Sequence, residues 1–392
     1  MKFNKWTLGL AALGVVSIGS VARAEEAQMN PIQTALASTV ISGYVDTSYE
    51  HQFDPDKEPA QFSIPFRTDS KLNGFNLNVV KLSLEKAMDE SEWAAGYKVD
   101  LLFGPDAVGY NTSVNADGDV DFGIKQAYVA MRTPVGNGID WKFGVFDTII
   151  GYESFDSVNN PNFTRSWGWA VEPTQHTGLL GTYRISDTVS VSAGLANTLS
   201  AGINNRDTEL GTESYNRKAW MASIAVTAPD SAGALAGSTL YGGVVGGFSG
   251  SGSDFDPTGT GPQEDQVNYY LGATIATPVA GLKFGAAFDY VSNTGGADGA
   301  DTWVAGIYAS YQATEKMSLH GRFEYGDADS NSLVFLGSGE DENVWGLTGT
   351  LQYDLWANVV SRVELRYDNV DPDGGVDDET AFAAYLNLIY KF

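Results

Sequence analysis

The sequence predicts an all-β fold: a transmembrane antiparallel β-barrel of about 16 strands, with short periplasmic turns and long extracellular loops. Three observations carry that reading. Apolar and polar residues alternate in repeated segments, the connections between segments sort by length and parity, and aromatic residues gather at segment ends.

The alternation is plainest at the end of the chain, in AFAAYLNLIYKF, residues 381–392. Stepping back from Phe392 by twos gives Tyr390, Leu388, Leu386, Ala384 and Phe382. Period-two apolarity marks a strand with one face in an oily environment. Sixteen such segments run along the chain, at 39–52, 75–86, 93–104, 120–132, 139–148, 175–185, 189–198, 218–228, 237–249, 265–277, 282–292, 301–312, 317–327, 342–353, 357–369 and 379–392. Their length suits a tilted strand crossing a bilayer, which takes about 9–11 residues.

The connections supply the second observation. Even-numbered ones are short: AMDESE, TPVGNG, a few residues around Ser186-Asp187, PDSAGALA, PVAG, ATEK and Asp354-Leu355-Trp356. Odd-numbered ones are mostly long and acidic, at 53–74, 105–119, 149–174, 199–217, 250–264 and 328–341, with shorter members at 293–300 and 370–378. A soluble sandwich has no reason to sort its loops this way, whereas a membrane barrel does. All 13 prolines fall outside the proposed segments, as ladder hydrogen bonding requires.

The third observation fixes which side faces out. Segment 317–327 sets Leu319, Phe323 and Tyr325 against Ser318, His320, Arg322 and Glu324. Segment 357–369 sets Val363, Leu365 and Tyr367 against Arg362, Glu364, Arg366 and Asp368. Trp93, Trp141, Trp220, Trp303, Trp345 and Trp356 lie at or near segment ends, where interfacial girdles place them. The apolar faces therefore belong outside, against lipid, and the polar faces inside.

The ends and the composition agree. MKFNKWTLGLAALGVVSIGSVARA, residues 1–24, has basic Lys2 and Lys5, an apolar run and Ala22-Arg23-Ala24, the pattern of a secretory signal peptide cleaved after Ala24. Residues 25–38 are expected to be a short periplasmic segment, and 39–392 the barrel in the outer membrane of a Gram-negative bacterium. Phe392, Tyr390 and Leu388 resemble the C-terminal signal that barrel-insertion machinery reads in outer-membrane proteins. The whole chain carries 23 basic and 49 acidic residues, a net of −26, and loss of the leader with Lys2, Lys5 and Arg23 deepens this to −29. That charge excludes nucleic acid as a partner, since phosphate binding needs Lys and Arg. There is no cysteine, so the fold uses no disulfide.

Parity names the lumen. Asp46, Glu50, Lys98, Asp100, Arg184, Lys283, Asp289, His320, Arg322, Glu324, Arg362, Glu364, Arg366 and Asp368 are candidate pore-lining residues. Residues 149–174 form the longest connection and hold Tyr152, Phe155, Phe163, Trp167 and Trp169. So many large apolar side chains argue for a packed loop folded inward as a constriction. Its Glu153, Asp156, Arg165 and Glu172 would face the late-strand arginines across a narrowed eyelet.

This region, FGVFDTIIGYESFDSVNNPNFTRSWGWAVEPTQHTGLLGTY at 143–183, resembles the core of the OmpL-like β-barrel porin family. The elements are Ile150–Glu153, the Asn160–Ser166 stretch, Pro173 and His176–Gly178. The resemblance implies an outer-membrane barrel with a channel function.

Other chemistry is thin. Asn115-Ala-Asp117-Gly-Asp119-Val-Asp121 and DPDGGVDDE at 371–379 gather carboxylates that a loop could offer to Ca²⁺ or Mg²⁺. Neither supplies both the Gly and the Glu of an EF-hand loop, so solvated acidic loops are expected and no cofactor. Of the three histidines, His51, His176 and His320, only the last shares a face with a serine, Ser318, and a lumen wall explains it without catalysis. The expectation is a porin, not an enzyme: a passive diffusion channel for small hydrophilic solutes and ions with a weak cation preference from its acidic mouth. The alternative is a non-conducting structural or adhesive barrel acting through its loops. Expected partners are outer-membrane lipid, lipopolysaccharide, the insertion machinery and further copies in a homotrimer.

Overall fold

The structure, a computed structural model, describes residues 38–53, 71, 73–107, 110, 122–199, 201–204, 217–247, 265–294, 299–330, 332, 335 and 339–392. The proposed leader, the segment after it as far as residue 37 and the acidic tract 115–121 lie outside the described residues.

Sixteen strands make one closed sheet. They are β1 Val40–Gln52, β2 Gly74–Lys86, β3 Ala95–Phe103, β4 Phe122–Thr133, β5 Ile139–Asp147, β6 Gln175–Arg184, β7 Val189–Ala196 and β8 Ala219–Thr227. The second half comprises β9 Thr239–Gly247, β10 Gln266–Ala276, β11 Leu282–Ser292, β12 Thr302–Gln312, β13 Met317–Ala328, β14 Glu342–Trp356, β15 Val359–Pro372 and β16 Glu379–Lys391. Each pairs antiparallel with its neighbour in sequence, and β1 pairs with β16 in the register Tyr44↔Lys391 to Gln52↔Ala383. The last residue completes the seam: Gly43 and Phe392 exchange both backbone hydrogen bonds at 3.0 Å. The Phe392 ring lies over Gly43, where a Cβ would come within 2.8 Å of it.

Burial alternates along the strands as the sequence pattern requires. In β13 Ser318, Arg322 and Glu324 are buried while Leu319, Phe323 and Tyr325 are exposed; β15 repeats this with Arg362, Glu364 and Arg366 against Val363 and Leu365. Phe75 is 91% exposed and Trp356 69%, a distribution that only a hydrocarbon surround makes favourable. Outward aromatic pairs ring one end of the barrel: Tyr49–Phe75, Phe53–Phe382, Trp303–Tyr325 and Trp345–Tyr367, with centroids 4.7–5.6 Å apart.

Two strand ends run three residues past the sequence reading. Asp354–Trp356, expected as a connection, belongs to β14, which leaves only 357–358 to make the turn. β15 extends to Pro372, so one proline does lie in a strand. It stands opposite Glu342 at the strand's last position, where a missing N–H breaks no continuing ladder.

The odd connection 148–174 is fully described, and it folds into the barrel. It contains a one-turn 3₁₀ segment, Ser157–Asn159, and a short helix, α1 Trp167–Val171. Three apolar clusters meet it from the wall. Phe146 and Ile150 pack with Leu180, Met221 and Val245; Trp167 and Val171 with Val291, Val304 and Val344; Phe155 with Val79, Leu102 and Ile389.

Glycine matters where strands must approach most closely. At Gly178 a Cβ would sit 2.1 Å from the Leu195 carbonyl oxygen of β7, whereas at lipid-facing Gly349 nothing lies within 4 Å. Gly178→Val is expected to abolish the compact, heat-modifiable band of the folded barrel on unheated gels, and Gly349→Ala to leave it intact.

Candidate functional site

The site is the loop and the wall that grips it. Its chemistry starts from a constraint on the loop: a segment inside a barrel brings backbone N–H and C=O groups that must find partners there. The late strands provide those partners, because β13 and β15 present charged side chains at alternate inward positions, with the hydroxyls of Thr348 and Thr350 on β14 between them.

Arg322 is the centre of the grip. Its Nη1 donates to Glu153 Oε1 and to the Thr164 carbonyl, both at 2.8 Å. Its Nη2 donates to the Arg165 carbonyl at 3.2 Å and to the Thr348 hydroxyl at 3.1 Å, and Nε lies 2.8 Å from Glu324 Oε2. Glu364 accepts from the other polarity of the loop: Phe163 N at 2.6 Å, Thr164 N at 2.9 Å and the Thr164 hydroxyl at 2.6 Å. Arg362 donates to the Ser157 and Asn160 carbonyls, each at 2.8 Å. Arg366 donates to the Arg165 carbonyl and pairs with Asp368, which accepts from the Trp167 indole at 2.7 Å. Glu324 accepts from Trp167 N at 2.6 Å at the start of α1. Ser166 caps that helix by accepting from Trp169 N at 2.9 Å.

The predicted loop residues take different roles. Glu153 joins Arg322 on the wall to Ser166 N within the loop, the latter at 2.7 Å. Asp156 reaches the opposite side of the seam, accepting from Lys81 at 2.8 Å and the Tyr44 hydroxyl at 2.9 Å. Arg165 is fully buried and staples the loop to itself, donating to the Phe163 carbonyl at 2.8 Å and Ser157 Oγ at 3.1 Å. Glu172 hydrogen-bonds Asp289 of β11.

The remaining candidates divide by depth. Asp46, Glu50 and Asp100 are buried; Asp46 accepts from Asn78 at 2.8 Å and Asn387 at 2.6 Å, and Asp100 pairs with Lys81 at 3.0 Å. Lys98 lies 3.6 Å from Glu85, and His320 bridges Ser310 at 2.8 Å and Ser318 at 2.9 Å. Arg184 and Lys283 are exposed toward the bore. Phe392, Tyr390 and Leu388 lie at the seam, with Tyr390 and Leu388 on the lipid face beside β1 and β15. An eyelet would set loop acids opposite wall arginines across water. Glu153 and Arg322 are instead in direct contact, with both side chains at 0% exposure.

Sequence reasoning passed over Lys81, which binds both Asp100 and Asp156, and Thr164, whose backbone and hydroxyl both engage the wall. The signal for Lys81 was its inward parity with Ser83 and Glu85. Among the described residues no group of three or more His, Asp or Glu is placed to hold a metal.

A closed barrel with an apolar outer surface, a polar bore and an inward loop defines an outer-membrane channel protein. The chain belongs to the family described as "Putative beta-barrel porin-2, OmpL-like", whose family model matches residues 38–392. Among curated proteins no sequence matches it. Solved structures share the fold at low identity. The outer-membrane channel DcaP of Acinetobacter baumannii aligns at TM-score 0.62 and 13% identity, over 90% of this chain and 97% of that one. Pseudomonas putida OprB aligns at 0.60 and 12%, over 92% and 96%. The trimer form of Vibrio cholerae OmpT aligns at 0.55 and 14%, over 90% and 99%. The family is one of outer-membrane β-barrel porins, and the solved structures share its fold.

Two predictions follow from the grip. Arg322→Met leaves Glu153 and Glu324 as buried, uncompensated charges, a loss of about 3–5 kcal/mol. Tryptic cleavage after the buried Arg165 should then accelerate by about two to nearly four orders of magnitude while the barrel stays folded. The second concerns Glu172, whose carboxyl is raised well above the usual carboxylate range by burial and by Asp289 facing it, with Glu153 adding to the repulsion. A raised pKa means that the docked loop holds a proton the released loop gives up. Docking is therefore strongest at acidic pH and weakens as pH rises through the docked value. Protection of Arg165 from trypsin should fall toward alkaline pH, and Glu172→Gln should flatten that dependence.

Proposed function

We propose that this protein is a passive diffusion channel for small hydrophilic solutes and ions, in which loop 148–174 sets the constriction. The observation that carries this reading is the state of the bore below the loop. There the inward side chains Thr182, Ser190, Ser192, Ser223 and Ala225 remain half-exposed, and Arg184 and Lys283 are exposed. A wall of hydroxyls and charges in contact with water replaces hydrocarbon with a polar path, which lowers the barrier for hydrated solutes.

Ion preference is the balance of two sets of charge. The connections 293–301, 329–341 and 373–378 carry acids, among them Asp329, Asp341, Asp373, Asp377 and Asp378, and no Lys or Arg. They concentrate cations at the outer mouth. Lys142, Arg184 and Lys283 oppose them from within, each without a carboxylate at ion-pair distance among the described residues. The sum is a weak cation preference. The apolar outer wall and the trimer form of the OmpT neighbour support assembly as a homotrimer. Phe392 at the seam supports recognition of the last strand by the insertion machinery.

A second reading, a non-conducting barrel acting through its outer loops, is favoured by one observation: the apolar clusters that pack around loop 148–174 in the upper bore. Planar-bilayer recording separates the two. Purified protein should give discrete conductance steps, and in a tenfold KCl gradient its reversal potential should be cation-selective at low salt and shrink above about 1 M, where screening falls to ~3 Å. Absence of steps would favour the second reading, and a chloride-selective potential would overturn the preference.

A further inference from the structure

Beneath the loop, on β9 to β13, lies a cluster that the grip does not use. Tyr152 leaves the loop and stacks on Tyr308 of β12 with centroids 4.1 Å apart. It lies flat because the wall beneath it is glycine: a Cβ at Gly285 would fall 1.9 Å from the Tyr152 hydroxyl oxygen. Tyr241 of β9 approaches from the other side, and the hydroxyls of both tyrosines reach Thr274. Two residues from Gly285 on the same face of β11 stands Lys283, which pairs in register with Ser310, the residue that bonds His320.

Lys283 differs from the late-strand arginines. Arg322, Arg362 and Arg366 are buried and committed to the loop. Lys283 is exposed, with no carboxylate at ion-pair distance among the described residues. Around it the wall offers hydroxyls from Thr274, Ser310, Tyr152 and Tyr241 and no acid, and both tyrosines are half-exposed. The one acid on β9 to β12, Asp289, bonds Glu172 of the loop farther up the bore, where both line a cavity with Tyr152, Tyr308 and Glu324.

We propose that this wall is a solute subsite for small polyhydroxylated anions, such as phosphorylated sugars. The Lys283 ammonium takes the anionic group, the hydroxyl row takes the solute's hydroxyls, and the open faces of Tyr152 and Tyr241 take the sugar ring. The inference names a solute class for the channel proposed above, but it requires only that the bore be open to water on one side.

The test is equilibrium dialysis of the detergent-folded protein against glucose 6-phosphate and, separately, glucose, at about 0.1 M salt, where the Debye length is ~10 Å. Glucose 6-phosphate should bind more tightly than glucose. Lys283→Met should weaken its binding by about fivefold, the scale of one exposed charge pair, and leave glucose unchanged. Lys142→Met, which removes an inward cation elsewhere on the wall, should change neither. Tyr241→Ala should weaken both. The proposal is overturned if the wild type binds no glucose 6-phosphate, if Lys283→Met binds it as the wild type does, or if Lys142→Met weakens it equally. Dialysis reads the subsite whether or not the barrel conducts, so failure here is distinct from the absence of conductance steps.

Discussion

Hydrocarbon offers no hydrogen bonds, and that constraint governs the rest of the structure. A sheet in a bilayer cannot keep an edge, so β1 must meet β16, and the final residue must bond Gly43 to finish the seam. Closing sixteen strands creates a lumen too wide for wall side chains to fill. What occupies its upper part is a chain segment with its own backbone, and that backbone brings the same demand for partners inside. The charged inward rows of β13 and β15 meet it. Carboxylates of Glu324 and Glu364 receive loop N–H groups, and guanidiniums of Arg322, Arg362 and Arg366 receive loop carbonyls.

The grip is better understood as specificity than as stability. Buried ion pairs return little more than the desolvation they cost, so Arg322–Glu324 and Arg366–Asp368 add little stability as pairs, and their value lies in the loop groups they satisfy. Removing one partner is another matter. Charges of both signs alternate along β13 and β15, so each can be satisfied in only one placement of the loop. The Phe163–Ser166 stretch holds these contacts: Phe163 and Thr164 supply donors to Glu364, Thr164 and Arg165 supply carbonyls, and Ser166 caps α1. Glu153 ties that stretch to Arg322.

Most of the fold was legible because the wall separates two solvents. Lipid on one side and polar contents on the other impose a strict period of two, so the sixteen segments could be marked to within a few residues. The ends of β14 and β15 escaped because Asp354 and Pro372 read as turn residues, although both lie where a strand tolerates them. Parity shows that Arg322 points inward, but it carries no information on how far the loop stands from the wall. A water-filled gap and direct contact have the same sequence pattern. The role of Thr164 was equally hidden, since it rests on backbone groups that every residue possesses.

The placement of loop 148–174 on the late-strand wall is the central claim, and a cysteine-free chain allows a direct measurement. Asn162 donates to the Thr350 hydroxyl at 2.7 Å, so cysteines placed at both positions should be joined by a short bifunctional thiol crosslinker in nearly every folded barrel. If both thiols instead stay free and react with a water-soluble maleimide as fast as a cysteine at exposed position 377, the loop does not lie on that wall.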